Sequence, residues 1–325
     1  MKKSLIALAV LAASGASFAQ SSVSIYGIAD VWMGRTTGTG VATQTKIDSG
    51  GVSGSRFGFK GTEDLGGGLK ANFVLEQGFS IDDGKAGDAT KAFSRQAFVG
   101  FSGAFGEARI GKVFTAYDDM QGNTNAVFDS ALSPNANVWK STAYNDKANN
   151  ALYYATPTFS GFQGAVSYSL GEDAVLNGAA ATHTTSLNGT YNAGPLYVGV
   201  GFQTQETQGV AATNDFTRLN ASYNLGVAKL LAGYGRAVIG ATTSNDYQIG
   251  VDYPVSAALV LSGGIARSLD NDAANTARTG YGFGAAYSLS KRTTVYGGYQ
   301  NNTKTATGAA DVDGSLLAAG VKHTF

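Results

Sequence analysis

Catalysis needs groups that can be activated, and this chain of 325 residues offers few. It has no cysteine, which excludes disulfides, thiolate metal centres and cysteine nucleophiles. Its two histidines, His183 and His323, are too few for a histidine metal cluster, and no serine motif accompanies either to complete a Ser–His–acid set. No Asp/Asn spacing matches a calcium loop. No metal or other cofactor is called for. Basic and acidic residues number 23 each, so there is no polyanion signature, and nucleic acid is excluded as a partner. What remains is fixed charge. In Arg56-Phe57-Gly58-Phe59-Lys60-Gly61, the apolar Phe57, Phe59 and Gly61 share one side and Arg56, Gly58 and Lys60 the other. In an extended segment this spacing gives one apolar and one basic side.

The elements that carry these charges follow from periodicity. Val23, Ile25, Gly27, Ala29 and Val31 alternate with Ser22, Ser24, Tyr26, Ile28 and Asp30. Tyr247, Ile249, Val251 and Tyr253 alternate with Asp246, Gln248, Gly250 and Asp252. Period two means a strand with one apolar and one polar face. About sixteen such segments run from residue 22 to 325, beginning near 22, 54, 68, 92, 106, 150, 162, 183, 196, 216, 227, 245, 258, 278, 293 and 315. The composition agrees: 45 Gly, 16 Tyr and 17 Phe, with only 14% charged residues. Short connections such as Glu63–Gly67, Thr158–Gly161, Asn192–Pro195 and Ser290–Arg292 separate some segments. Longer polar stretches, at 35–50, 81–91, 115–146, 171–182, 206–215, 268–277 and 302–314, separate others. Short turns on one side and long loops on the other predict a transmembrane β-barrel, because a spanning sheet must close to satisfy its backbone in lipid. Tyr153, Tyr154, Tyr168, Tyr191, Tyr197, Tyr223, Tyr253, Phe283, Tyr287, Tyr296 and Tyr299 are expected in interfacial girdles. A secreted sandwich would need a charged outer face, which these strands lack.

Residues 1–19 read as an export signal. Lys2 and Lys3 precede an apolar run from Ser4 to Ala13, and Ser17-Phe18-Ala19 places small residues where a signal peptidase reads, with cleavage after Ala19. The run is too short to span a bilayer. Residues 20–325 then form a single domain, with no linker or shift in composition.

Several segments resemble the trimeric porins of Gram-negative bacteria, those of β-proteobacteria in particular. They are SSVSIYGIAD from Ser21, GSRFGFKGTEDLGGGLK from Gly54, FVLEQGF from Phe73, FSRQAFVGF from Phe93, FGEARIGK from Phe105, NNALYYATP from Asn149 and the closing GVKHTF from Gly320. The resemblance spans the chain after the signal. It implies an all-β, 16-stranded antiparallel barrel assembled as a homotrimer, with the third external loop folded inward. It also implies passive diffusion of ions and small hydrophilic solutes, residence among outer-membrane lipid and lipopolysaccharide, and delivery by the barrel assembly machinery.

On this reading a basic wall comprises Arg56 and Lys60 from alternation, Arg95 where related porins place a base, Arg109 beside Ile110, and Lys147 where the family often has arginine. Lys147 departs from that pattern and lacks arginine's planar fork. The 115–146 stretch is the expected constriction loop, with Asp118, Asp119 and Asp129 as its acids. Glu76 and Asp30 also point inward and are alternative partners for the arginines. More bases than acids predict weak anion preference. Phe325 ends an alternating strand (Val321, His323, Phe325), which resembles the family's assembly signal. The main alternative is a substrate-specific channel lined by Phe114, Tyr117, Phe128 and Trp139. A barrel hydrolase and an adhesive surface protein fit less well.

Overall fold

The period-two segments close into a ring. The computed structural model describes residues 22–171 and 182–325; the signal sequence lies outside them, as does most of the loop at 171–182. The strands are β1 (Ser22–Gly38), β2 (Val41–Ser49), β3 (Arg56–Gly66), β4 (Leu69–Gly78), β5 (Gln96–Gly103) and β6 (Gly106–Phe114). Then come β7 (Lys147–Ala155), β8 (Phe162–Ser169), β9 (Thr182–Ala193), β10 (Leu196–Thr207), β11 (Asn214–Asn224) and β12 (Lys229–Ile239). The last are β13 (Thr242–Pro254), β14 (Leu259–Asp270), β15 (Ala277–Ser288), β16 (Thr293–Thr305) and β17 (Val312–Thr324). All neighbours are antiparallel, and β1 closes the ring by pairing with β17 from Ile28↔Thr324 to Gly38↔Gly314. The other edge of β1 pairs first with β3 and then with β2. Thus β2 and β3 are two halves of one stave, and the barrel has sixteen staves.

The break between those halves has a cause. Asp30, wholly buried, accepts hydrogen bonds from the backbone N–H groups of Gly51 (3.1 Å), Val52 (3.0 Å) and Ser53 (2.7 Å), and from the Tyr296 hydroxyl (2.5 Å). The carboxylate gathers the chain inward, so residues 50–55 leave the ladder. Asp30 therefore serves the backbone and Tyr296, and among the described residues it pairs with no arginine.

The expected loop at 35–50 is instead the end of β1, a two-residue turn at Thr39-Gly40 with Gly40 at φ +73°, and β2. The loops at 206–215, 268–277 and 302–314 likewise shorten to 208–213, 271–276 and 306–311. In each case the strands run on as polar ladders, outside the reach of an alternation signal.

Polarity is inverted relative to a soluble domain. Ile25 (68% exposed), Ile110 (64%) and Ile249 (61%) stand outward, while Ser167, Ser186, Gln203, Asn220, Gln248 and Ser268 are buried inside. An outward face this apolar is stable only in lipid. No helix among the described residues is long and apolar enough to cross a membrane; the strands do so. Three of the expected girdle tyrosines, Tyr153, Tyr197 and Tyr296, face inward, because their neighbours Asp119, Asn123 and Asp30 offer polar partners there.

Candidate functional site

The long connection from Thr115 to Asp146 folds into the barrel and lies along one wall. Its beginning is held by β8 and β9: Ala116 N–H donates to Ser167 Oγ (3.1 Å) and Tyr117 N–H to Ser186 Oγ (2.6 Å). Asn220 on β11 donates to Met120 O (2.9 Å), and Gln248 on β13 to Thr124 O (2.6 Å). Val127 N–H donates to Ser262 Oγ on β14 (2.7 Å), and at the tip Ala131 N–H reaches Gly51 O (2.8 Å). On the return, Ser141 N–H donates to Asp246 Oδ2 on β13 (2.7 Å) and Gln203 on β10 to Asn145 O (2.9 Å).

Glycines make room for it. A Cβ on Gly235 would lie 2.0 Å from Ser141 Oγ, on Gly233 2.8 Å from the Trp139 ring, on Gly264 2.6 Å from Ala126 Cβ, and on Gly282 2.3 Å from Leu132 O. The lumen wall from β12 to β15 is thus a trough cut by glycine. Apolar packing concentrates there too, with Ala126, Val127 and Leu132 against Leu231, Tyr296 and Leu316.

One side chain ties both limbs of the loop to the wall. Arg218, on β11 and wholly buried, places its guanidinium 5.7 Å from the Tyr117 ring and 5.0 Å from the Trp139 ring, and donates to the Gln121 amide oxygen. Both rings provide cation–π attraction to the buried charge. Sequence reasoning passed over Arg218. Its signal is parity: it alternates with Thr217 and Leu219 and must face inward.

The wall opposite the loop, on β1 and β3 to β7, carries the expected bases. Arg56 and Lys60 share the lumen face of β3. Arg95 donates to Glu76 Oε1 (2.8 Å), and Tyr26 OH donates to Glu76 Oε2 (3.0 Å). Lys60 Nζ lies 4.9 Å from the Tyr26 ring. Arg95 precedes β5, so strand alternation does not govern its direction, although Ala97, Val99 and Phe101 after it face lipid. Arg95 and Lys147 both rest on the Phe114 ring, at 5.6 and 5.2 Å. Lys147 also pairs with Asp146. Arg109 is held between the Phe98 and Tyr153 rings (5.1 and 4.6 Å) and makes a two-pronged pair with Glu107, each bond 2.8 Å.

The loop acids fall into two sets. Asp118 accepts from Tyr144 OH (2.5 Å), and Asp119 from Tyr153 OH (2.7 Å) and Asn188 (3.4 Å). Burial pushes both carboxyls up to about 6, against the opposing pull of those bonds. Lys147 acts electrostatically on Asp118, and Arg109 on Asp119, so these acids face the basic wall. Asp129 does not: it accepts from Asn125 (2.5 Å), and the base acting on it is Arg218 behind the loop. Of the aromatics that might have lined a solute path, Tyr117 and Trp139 are buried between loop and wall, and Phe114 is covered by cations.

The arrangement is a lumen narrowed by a docked loop, with bases on one side and two acids on the other. The Gram-negative porin family profile matches residues 5–307. Over 319 residues the chain is 35% identical to outer membrane porin protein 32 of Delftia acidovorans, covering 91% of this chain and 88% of that protein. It is 28% identical to an outer membrane porin protein of Bordetella pertussis across the whole of both. The fold superposes on the anion-selective porin from Comamonas acidovorans with a TM-score of 0.80 at 28% identity, covering 94% of this chain and 100% of that one. OmpT of Vibrio cholerae in its trimer form shares the fold at TM-score 0.71 and 17% identity, over 94% of this chain and 99% of that one. The chain belongs to the Gram-negative porins, the β-barrel channels of the bacterial outer membrane.

Proposed function

We propose that the opening between the basic wall and the docked loop sets both size limit and charge preference, passing ions and small hydrophilic solutes with a weak preference for anions. The observation that carries this reading is the excess of bases on the free wall. Arg56, Lys60, Arg95, Arg109 and Lys147 stand there against Glu76, Glu107 and Asp146. Of the loop acids, only Asp118 and Asp119 are turned toward them. An anion entering this gap meets a net positive wall, and opposed charge across it orients dipolar solutes. The anion selectivity of the Comamonas porin is in keeping with this. The aromatic-lined alternative is not favoured, because Tyr117 and Trp139 spend their rings on Arg218.

The assembled unit is a homotrimer, as in the trimer form of OmpT, in contact with lipid and lipopolysaccharide. The chain is exported by its first nineteen residues and matured after Ala19. Phe325 is read by the assembly machinery. Recording in a planar bilayer across a tenfold KCl gradient tests the reading. Conductance steps in groups of three and a reversal potential of anionic sign are expected. A cationic sign overturns the preference, and absence of steps from folded protein overturns the open channel.

A further inference from the structure

On the side of the loop that faces the short turns, the lumen wall is hollowed into a recess of about 430 Å³. Its rim includes Thr158 and Gly161 of the turn between β7 and β8, and its roof is Asp119 and Asn123 of the loop. We propose that this recess is a binding subsite for neutral, hydroxyl-rich solutes of mono- to disaccharide size. The inference rests on the open-channel reading and names a class of solute for it.

Charge inside the recess is satisfied by its own neighbours. Arg109 is engaged by Glu107 through two bonds of 2.8 Å, and Asp119 Oδ2 accepts from Tyr153 and Asn188. A simple anion therefore finds no uncommitted base there, in contrast to the Arg56 wall. The remaining lining is amide and hydroxyl: Asn123, Gln163, Thr190 and Asn192, beside Asn188, whose amide is committed to Ala116 O, Asp119 and the Ala165 N–H. An amide both donates and accepts, which matches a sugar's hydroxyl groups and gives no advantage to a charged ion. Tyr197 adds flat surface, and its OH accepts from Asn123 (3.0 Å), so the ring is oriented before a solute arrives; Tyr153 is buried beneath Arg109 and only holds Asp119 in place. Preorganised amides beside an aromatic face favour polar rings over flexible chains. The volume lies within the range of small-molecule sites.

The test is single-channel current in the presence of sucrose, with a polyethylene glycol of equal hydrodynamic size as the control for simple volume exclusion. Sucrose is expected to reduce the current of the wild-type trimer saturably, while the polymer gives only a linear fall. Ala165→Trp, which fills the recess from β8, is expected to lose the saturable part. Ionic steps in the variant establish that its pore is folded and open. Should A165W fail to assemble, the Gln163→Ala, Tyr197→Phe double variant decides. Its half-saturating sucrose concentration is expected to rise about fivefold, the effect of a lost hydrogen bond. A linear sucrose response that matches the polymer overturns the proposal, as does saturation undiminished in the variants. Absence of ionic steps from wild type would instead overturn the channel reading itself.

Discussion

Glu76 uses both oxygens on its own wall, one for Arg95 and one for Tyr26. Arg56 stands beside them, and among the described residues no acid pairs with it. The two arginines therefore differ in what they do. Arg56→Gln should shift the reversal potential toward zero and leave barrel stability unchanged, read from the heat-induced gel shift. Arg95→Gln should do both, because it strands Glu76, whose side chain is 5% exposed. The loss should fall below the roughly 3–5 kcal/mol of a fully buried pair, since Arg95 keeps 19% exposure. Glu76→Gln added to Arg95→Gln should recover most of it. Asp118 and Asp119 should give the pore a pH response. Their carboxyls, raised to about 6, are ionised above that pH and protonated below it. Acidification from pH 7.5 to 5 removes negative charge facing the bases, so anion preference should rise. The Asp118→Asn, Asp119→Asn double variant should hold the acid value at both pH values, and reversal potentials that change equally with pH in both proteins would refute the assignment. Arg56 and Lys60 were legible because strand parity fixes their face. Arg95 was expected there from resemblance alone, because it lies before its strand, and the direction of Asp129 was not legible, because no period operates in a loop.

The loop is an element only by virtue of its bed. Alone it is mostly irregular chain, and at Val127, Phe128 and Asp129 it holds three consecutive left-handed residues (φ 57°, 66° and 51°). Each such residue costs about 1–2 kcal/mol. The turn persists because Ser262 bonds Val127, and Ser130 and Ser133 bond the carbonyls of Val127 and Ala126 (2.6 and 2.5 Å). Docking depends on absent side chains in the trough, so filling a notch should release the loop. Gly235→Leu, on a face occupied by Ser141, should raise single-channel conductance and increase open-state noise while the barrel still assembles. Arg218→Met should give noise with a smaller rise, since the glycine notches remain. Unchanged conductance in Gly235→Leu would mean that the loop does not narrow the pore. Strands that meet lipid on one face and water on the other were readable, since that boundary writes alternation into the sequence. β2 was not: of Val41, Thr43, Thr45 and Ile47 on its outward side only Val41 and Ile47 are large apolar residues, too few to register as an alternating strand. The trough was present in the sequence as inward glycines such as Gly233, Gly235, Gly280 and Gly282, but their meaning depends on a loop a hundred residues away.

Closure of the whole molecule turns on its two ends. Every backbone group in the lipid belt needs a partner, so the first and last strands must find one another or expose several unpaired groups at a cost of several kcal/mol each. The β1–β17 ladder supplies those bonds, and it ends in a reciprocal pair: Gly27 N–H to Phe325 O and Phe325 N–H to Gly27 O, both 3.1 Å. The Phe325 ring lies over Gly27, where a Cβ would come within 2.3 Å of it. Gly27 is therefore the seat of this chain's own last ring, and Gly61 likewise lies under Phe73 (2.3 Å). The seam makes two roles for Phe325 separable. If its ring serves closure, Gly27→Leu should displace it and lower the temperature of the gel shift, in cells and after refolding alike. If its terminal position is also read during assembly, deleting Phe325 should cut the amount of folded protein in the outer membrane severalfold. Refolding of the same variant from urea into detergent should proceed almost normally, because eleven residue pairs of the β1–β17 ladder remain. Equal losses in both settings would assign Phe325 to closure alone.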